Sequence, residues 1–548
     1  MGRAYGGGVP DAAPTFEERL AALEAQIVTL TAERDEYKRA YLEALEKCRK
    51  LELGILGQQR EKLPASDAQL TIEVLGMLLG RKDVPDPETP VPTSASAAAK
   101  AESRAAAEKK PTGRRSPPEH LPRVKIEIVP PEVQKKGLDA FLRIGEDICE
   151  TIERRPSSLV VVKTIRGKYV PKDRDRLGET EVLQAAPPDL PIERGLAGPG
   201  LIADTIVRRW DDHQPLHRME RIYCREGLEL SRSTICGWHA AVAALAAPLI
   251  AAMWKDAKTA PYLCTDATGV LVLEKEKCQH AHFWVVAVPD RHVLFAYSRK
   301  HDSAAVDKVL GDYRGTLVLD AHTVYDHLFK QPGVLEQVCW AHARRYWFKA
   351  LESDPERARK GLALIGELFR IERGLVGKAP DQRLAARQEE AKPVVKAYFA
   401  WCEGEADRVL DETASSRAVN YSLNQRKGLE RFLTDGRIPI HNNFSERELR
   451  REALGRKNWL FVGSDDGGDV NATFVSLLAS CHLHGIEPFG YLRDLLCLLP
   501  GWPQARLVEL APVNWEKTLQ QEDAQRRLAA NVFRQASLGL LDAHRDEK

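Results

Sequence analysis

Apolar positions recur every seven residues near the start of the chain: Phe16, Leu23, Leu30, Tyr37, Ala44 and Leu51 form one seam. Leu20, Ile27, Tyr41 and Cys48 fill most of a second seam, broken by Arg34, with Glu, Lys and Arg between. This stripe predicts a coiled coil over 16–62 that associates with a second copy; a helix packed on its own protein is the other reading. Over 84–122 the pattern disappears into Pro, Ala, Ser and charge. So little apolar surface cannot offset the entropy of ordering, so a disordered linker is predicted, with Lys109, Lys110, Arg114 and Arg115 as solvated linker charges.

Structure-bearing patterns resume at 123–185, which reads as a small mixed domain. RVKIEIVP alternates as a strand, and SSLVVVKTIRGKYVPK reads as a hairpin turning at Arg166-Gly167. Residues 195–254 follow a helical period. A helix through Met219 and Ile222 meets Gly227, a helix terminator. Ser231 then caps a second helix carrying Ile235, Trp238 and Val242. That is the spacing of a helix-turn-helix, with Arg232, Ser233 and Thr234 at the exposed start of the DNA-facing helix. An ordinary helical hairpin fits the same pattern.

Four strand-like runs follow in 261–320: YLCTDATGVLVLE, AHFWVVAVPD, HVLFAYSR and GTLVLDAH. The first three predict an antiparallel meander, and a helix over roughly Ser303 to Tyr313 leads into the fourth. Asp266 lies on the first run and Asp320 ends the fourth. If the first strand is central with the fourth beside it, the two carboxylates meet at the rim of a sheet, where ligands and metals bind. The segment 260–349 thus reads as the first part of a core with the arrangement of a ribonuclease-H-like fold, and 350–433 as a helical insertion, rich in Leu362, Ile365, Leu368, Val395, Tyr398 and Phe399. The core resumes over 434–490 with a helix carrying Glu446, and 491–540 forms a C-terminal helical segment.

Charge settles little: 80 Lys and Arg balance 79 Asp and Glu, so local clusters must decide the partner. The ten cysteines are scattered without a C-x-x-C pair, which suits a reducing cytosol. No signal-peptide pattern opens the sequence. No apolar run is expected to span a membrane; Ala240 to Trp254 is interrupted by Pro248. A soluble, intracellular protein is expected.

Asp266, Asp320 and Glu446 are the chemical candidates. Three converging carboxylates offer hard oxygen ligands to two Mg²⁺ or Mn²⁺ ions, which can clamp an in-line phosphoryl displacement. On spacing alone they are equally turn residues, caps or surface charges.

The motifs resemble the bacterial DDE transposases of insertion-sequence family sixty-six. The residues that carry the likeness are, in order, EGLELSRSTICGW, the aspartates of YLCTDATGVLVLE and LVLDAHTVYDHLF, then CWAHARR, NNFSERELR, GRKNWLFVGS and EPFGYLRDLL, within roughly residues 120–515. The resemblance implies a multidomain α/β protein. It would have a ribonuclease-H-like core, a mixed sheet with helices, interrupted by a helical insertion. It also implies Asp266, Asp320 and Glu446 as metal ligands; the family's N-x-x-E-R pattern falls on Asn443 to Arg447 and selects Glu446 over Glu448. The implied chemistry is cutting at the ends of a mobile element and joining the freed 3′-hydroxyls to target DNA. A catalytically inactive DNA-binding relative, acting as repressor or accessory protein, is the alternative; a coiled-coil scaffold is a third. Double-stranded DNA, a homo-oligomer through the coiled coil, and accessory proteins are the expected partners.

Two departures stand out. Ala267 follows the first aspartate where the family usually has an acidic residue, and residues 123–185 hold only Cys149 where paired cysteines would bind zinc, so no zinc is expected there. Cys339 with His342, and Cys481 with His484, each have half-site spacing for zinc; a buried cysteine and a hydrogen-bonded histidine are the plainer reading. Arg344 and Arg345, with Arg447, Arg450, Arg456 and Lys457 around Glu446, are expected at phosphates. Arg451 lies among them, and Trp459, in the apolar run WLFV, is expected in the core.

Overall fold

The computed structural model describes residues 26–34, 36, 117–119, 121–155, 158–171, 182–193, 195–274 and 277–541. Residues 26–34 and 36 are helical and exposed; the rest of the expected coiled coil, and the expected linker up to residue 116, lie outside the described residues.

The first sheet contains β1 (Arg123–Ile128), β2 (Phe141–Arg155) and β3 (Ser158–Pro171) in the order β1-β3-β2, with β4 (Leu183–Gln184) also on β3. The hairpin expected at Arg166-Gly167 is not there. β3 runs straight through, with Gly167 opposite Glu146, and the chain reverses between Arg155 and Ser158. A side chain at Gly167 would meet the Tyr169 ring at 2.7 Å, so the glycine clears space for a ring. Val124, Val160 and Val162 of this sheet pack with Phe533 and Ala536 from the end of the chain.

Glu153 of β2 is buried against the start of α1 (Pro199–Trp210). Its Oε1 accepts from the Leu201 amide at 2.8 Å, meeting a helix-start donor that has no partner within the helix. Side chains at Gly198 or Gly200 would collide with that carboxyl. Burial pushes the Glu153 carboxyl up to about 8 from an ordinary 4.5. The folded chain therefore holds a proton there that the unfolded chain releases. This contribution to stability is complete below the unfolded value and is lost as pH rises through about 8. Denaturant melts of wild type and Glu153→Gln should show it: between about pH 4.5 and 8 the wild type loses stability more steeply with rising pH than the variant, and equal slopes over that window would contradict the assignment.

After α1 come α2 (Leu216–Arg225) and α3 (Arg232–Ala257), joined through Gly227 at φ +81°. Ser231 caps α3 by accepting from the Thr234 amide at 3.2 Å. The helix continues through Pro248, so its 26 residues are long and apolar enough to cross a membrane, against the sequence expectation. Its Ile235, Trp238, Val242, Leu249 and Met253 are buried within the protein, which accounts for the apolar run as a core helix.

The second sheet has β5 (Tyr262–Leu273), β6 (Cys278–Val288) and β7 (His292–Ser298) as an antiparallel meander. The helix α4 (Ser303–Leu310), capped by Asp302, leads to β8 (Gly315–Leu319), and β9 (Val334–Val338) follows. Both β8 and β9 run parallel to β5, giving the order β7-β6-β5-β8-β9. The helix α5 (Trp340–Ala350) begins just after β9.

The chain divides into two compact units. The smaller includes His342–Gly377 and Ala385–Arg426, with α6 (Pro355–Gly374), α7 (Lys392–Ala406) and α8 (Ala414–Asn424). Trp347 donates to the Tyr398 hydroxyl at 2.8 Å, and Tyr398 bonds Ser422 at 2.6 Å, so a buried polar chain ties these helices. The larger unit holds both sheets and resumes with α9 (Asn443–Trp459), α10 (Asp465–Leu483) and α11 (Pro488–Leu498). α10 covers the edge strand β7: Ser476 and Ser480 hydroxyls accept from the Phe295 and Val293 amides at 2.8 and 3.1 Å. Edge amides that would otherwise be left open are thereby satisfied.

Candidate active site

Asp320 is the first residue past β8, where the parallel strands end. Its Oδ1 accepts from the His322 amide at 3.1 Å, a turn that sets the carboxylate at the sheet rim. Ala321 between them sits at φ +65°, a left-handed conformation costing a non-glycine residue about 1–2 kcal/mol. Asp266 lies on β5, and its Oδ1 accepts from the Ala267 amide at 2.8 Å. The β5–β8 register sets Tyr262 beside Thr316 and Cys264 beside Val318. The pairing ends at Cys264 and Val318, each two residues before an aspartate of the candidate pair, Asp266 and Asp320.

Tyr325 lies close to both carboxylates. Burial first, then the charges of Asp266 and Asp320, push its phenol well above the ordinary value of 10, so it stays protonated. His301 stacks on Trp284 with ring centroids 4.8 Å apart and meets His322 edge-on at the same distance. Sequence reasoning missed these groups, since single histidines and tyrosines in loops carry no spacing signal.

The third carboxylate arrives on α9. The Cys339 amide donates to the Leu319 carbonyl at 3.0 Å, next to Asp320 in the chain. The Asn442 amide donates to Cys339 Sγ at 3.1 Å, and its Nδ2 donates to the Thr265 carbonyl at 2.8 Å, next to Asp266. Asn442 thus fixes the start of α9 to the strand that carries Asp266 and to the residue bonded beside Asp320. One turn on, Glu446 brings a carboxylate oxygen within 4.8 Å of Cys339 Sγ. Glu448 instead is buried and accepts from Arg447 and Arg451, each at 3.2 Å.

Among the described residues the three carboxylates do not gather all their ligand atoms within 4.8 Å of one another. Two bridging ions about 3.5–4 Å apart span a wider set than one ion does. Asn442 Oδ1 is buried with no partner, a spare oxygen donor beside the site. Hard oxygens of this kind suit Mg²⁺ or Mn²⁺.

The expected zinc pairs lie differently. Cys339 precedes α5 and His342 is on its first turn, whereas Cys481 and His484 lie at the end of α10. His484 Nε2 bonds the Arg291 carbonyl at 2.8 Å, by the β6–β7 turn where β5 begins. No group of three potential metal ligands among the described residues includes Cys481 or His484.

Arg232, Ser233 and Thr234 are exposed on the first turn of α3, where Arg232 pairs with Glu220 at 3.3 Å. Arg344 and Arg345 are exposed on α5, as are Arg447, Arg450 and Lys457 on α9. Arg456 turns inward and donates to Thr268 Oγ1 at 2.9 Å and to the Gly269 carbonyl, fastening α9 along β5. Trp459 is only half-buried, and Leu460 and Phe461 are exposed, so of WLFV only Val462 enters the core. The expectation of a core Trp459 fails because α9 ends there: Leu460 takes φ +65°, and Val462 bridges to β5. A side chain at Gly455 would meet the Trp459 indole nitrogen at 2.6 Å, so this glycine lets the ring lie along the helix.

A family model described as Transposase IS66 family matches residues 194–470, which hold all three carboxylates and α1 to α9. The chain belongs to the IS66 transposase family. A second model, the IS66 C-terminal element, matches residues 476–513, across the end of α10 and all of α11. Relatives come from Sinorhizobium fredii. Uncharacterized protein y4qI is 32% identical over 418 residues, covering 72% of this chain and 76% of its own. Uncharacterized protein y4hP is 28% identical over 497 residues, covering 86% and 88%. The IS66 family implies a transposase and hence DNA as partner.

Proposed function

We propose that this IS66-family chain cuts the ends of an insertion element and joins the freed 3′-hydroxyls to target DNA, with Asp266, Asp320 and Glu446 holding two Mg²⁺ or Mn²⁺ ions. One observation carries the reading: Asn442 ties the start of the helix of Glu446 to Thr265, next to Asp266, and to Cys339, whose own amide bonds Leu319, next to Asp320. The strand order, with β5 between an antiparallel pair and a parallel pair, supports a ribonuclease-H-like core. Residues 350–433 are then an insertion within that core.

The bound ions would neutralise phosphate charge and lower the pKa of an attacking water or hydroxyl. The chain's own residues prepare the place. The His322 amide orients the Asp320 carboxylate, and Asn442 and Arg456 fasten α9, which carries Glu446, to β5. Tyr325 remains a neutral hydroxyl beside two carboxylates, adding no negative charge where a phosphate must come. Exposed Arg447, Arg450 and Lys457 on α9, and Arg344 and Arg345 on α5, offer cations to the DNA backbone. Arg232, Ser233 and Thr234 at the start of α3 offer a reading surface for a DNA groove. A coiled coil over 16–62 would join two copies, so that both element ends are held together. Cytoplasmic action at the nucleoid, with accessory proteins, completes the proposal.

Incubating full-length protein with duplex DNA bearing the element ends tests this. Strand cleavage is expected in Mg²⁺ or Mn²⁺ and none in a chelator. Salt-sensitive binding without cleavage under any of these ions would instead mark a catalytically inactive DNA-binding relative.

A further inference from the structure

A cavity of about 570 Å³ opens between the start of α3 and the end of α9, away from the three carboxylates. Arg209, Trp210, Arg232, Trp459, Leu460 and Phe461 line it. The Arg209 guanidinium lies 4.5 Å from the Trp210 ring centroid and 5.4 Å from that of Trp459, so a cation is layered with two indoles. Arg209 and Trp210 are each more than nine-tenths buried. Arg209 Nη1 and Trp210 Nε1 nevertheless have no hydrogen-bond partner. Two buried donors without acceptors, on the walls of one cavity, mark a place where acceptors are supplied from outside.

The required guest is flat, aromatic and carries acceptors on its edge. A DNA base meets all three conditions, with carbonyl oxygens and ring nitrogens on its edge and a face for stacking. The volume falls in the range of small-ligand sites, roughly 300–1,000 Å³. Arg232 at the mouth offers a cation for the attached phosphate. We propose that this cavity receives one unpaired base of the bound DNA, stacked against Trp459 and hydrogen-bonded by Arg209 and Trp210. The proposal rests on the transposase reading and adds a position to it. Glu446 and Trp459 sit at opposite ends of α9, roughly 20 Å apart at the helical rise per residue. At about 3.4 Å per nucleotide along a strand, the captured base lies about six nucleotides from the cleaved phosphate.

The probe is a short oligothymidylate added to full-length protein, with affinity read by anisotropy and tryptophan fluorescence followed in parallel. Stacking is worth roughly 1–3 kcal/mol per base. Trp459→Leu should therefore weaken oligothymidylate binding about five- to 150-fold, with Trp459→Phe close to wild type. The salt dependence should stay the same, since no phosphate contact is lost. Val470→Trp keeps both indoles and fills the cavity from α10; it should weaken binding similarly. Urea melts of each variant show whether the fold is kept. Wild-type affinity in both Trp459→Leu and Val470→Trp, with intact salt-sensitive duplex binding, overturns the base pocket alone. If the wild type binds neither duplex nor single strand, the DNA reading falls and the pocket with it.

Discussion

Asp320→Ala is expected to lower strand cleavage at element ends by more than about a hundredfold while DNA affinity stays at the wild-type level. Residues outside a metal's direct ligands typically cost about 10–100-fold when removed, and a direct ligand should cost more. The loss should be chemical, not structural. The Asp320 carboxylate accepts an amide hydrogen bond from His322, just past the end of β8. Removing it leaves the β8–β5 and β8–β9 pairings in place. Gel-shift affinity and a urea melt check this, with cleavage measured on the same preparation. Residual cleavage within tenfold of wild type would remove Asp320 from the site.

Asn442→Ala is expected to have the second-largest effect, of a different kind. Asn442 acts first through the bonds that hold α9: its side-chain Nδ2 donates to the Thr265 carbonyl and its backbone amide donates to Cys339 Sγ. Truncation leaves the buried Thr265 carbonyl without that donor, at a cost of about 1–3 kcal/mol. It also frees the first turn of α9, on which Glu446 sits. Cleavage should fall about 10–100-fold, and the Mg²⁺ concentration for half-maximal rate should rise. A purely structural role would lower the urea midpoint and leave that Mg²⁺ requirement unchanged. Titrating Mg²⁺ in the cleavage assay separates the two.

Much of the second sheet was legible from hydrophobic runs. The meander, the following helix and the fourth strand ending on Asp320 all lie where the apolar pattern puts them. The central position of β5 was legible only as a condition, because strand order depends on pairings that the runs do not encode. The first sheet was less readable. β2 reads FLRIGEDICETIERR, whose scattered charges hide a fifteen-residue strand, and Gly167 looked like a turn when it makes room for Tyr169. A long polar strand is stabilised by its partner, and that partner is a tertiary fact.

Side-chain roles divided in the same way. NNFSERELR announced a helix start, but nothing in that string says that Asn442 reaches Thr265 across 177 residues. Arg456 and Arg450 look alike in sequence; the structure sends the first to the Gly269 carbonyl and leaves the second exposed. WLFV reads as core because four apolar residues in a row usually are. The left-handed Leu460 ends the helix inside that run and turns Leu460 and Phe461 outward.

Titrating Mn²⁺ into full-length protein with bound element-end DNA, with free Mn²⁺ read by electron paramagnetic resonance, tests most directly whether Asp266, Asp320 and Glu446 act as one site. Wild type should take up two tightly bound ions per chain, and Asp266→Ala, Asp320→Ala and Glu446→Ala should each lose tight binding while still holding DNA. Unchanged Mn²⁺ stoichiometry and affinity in all three variants would contradict a shared metal site.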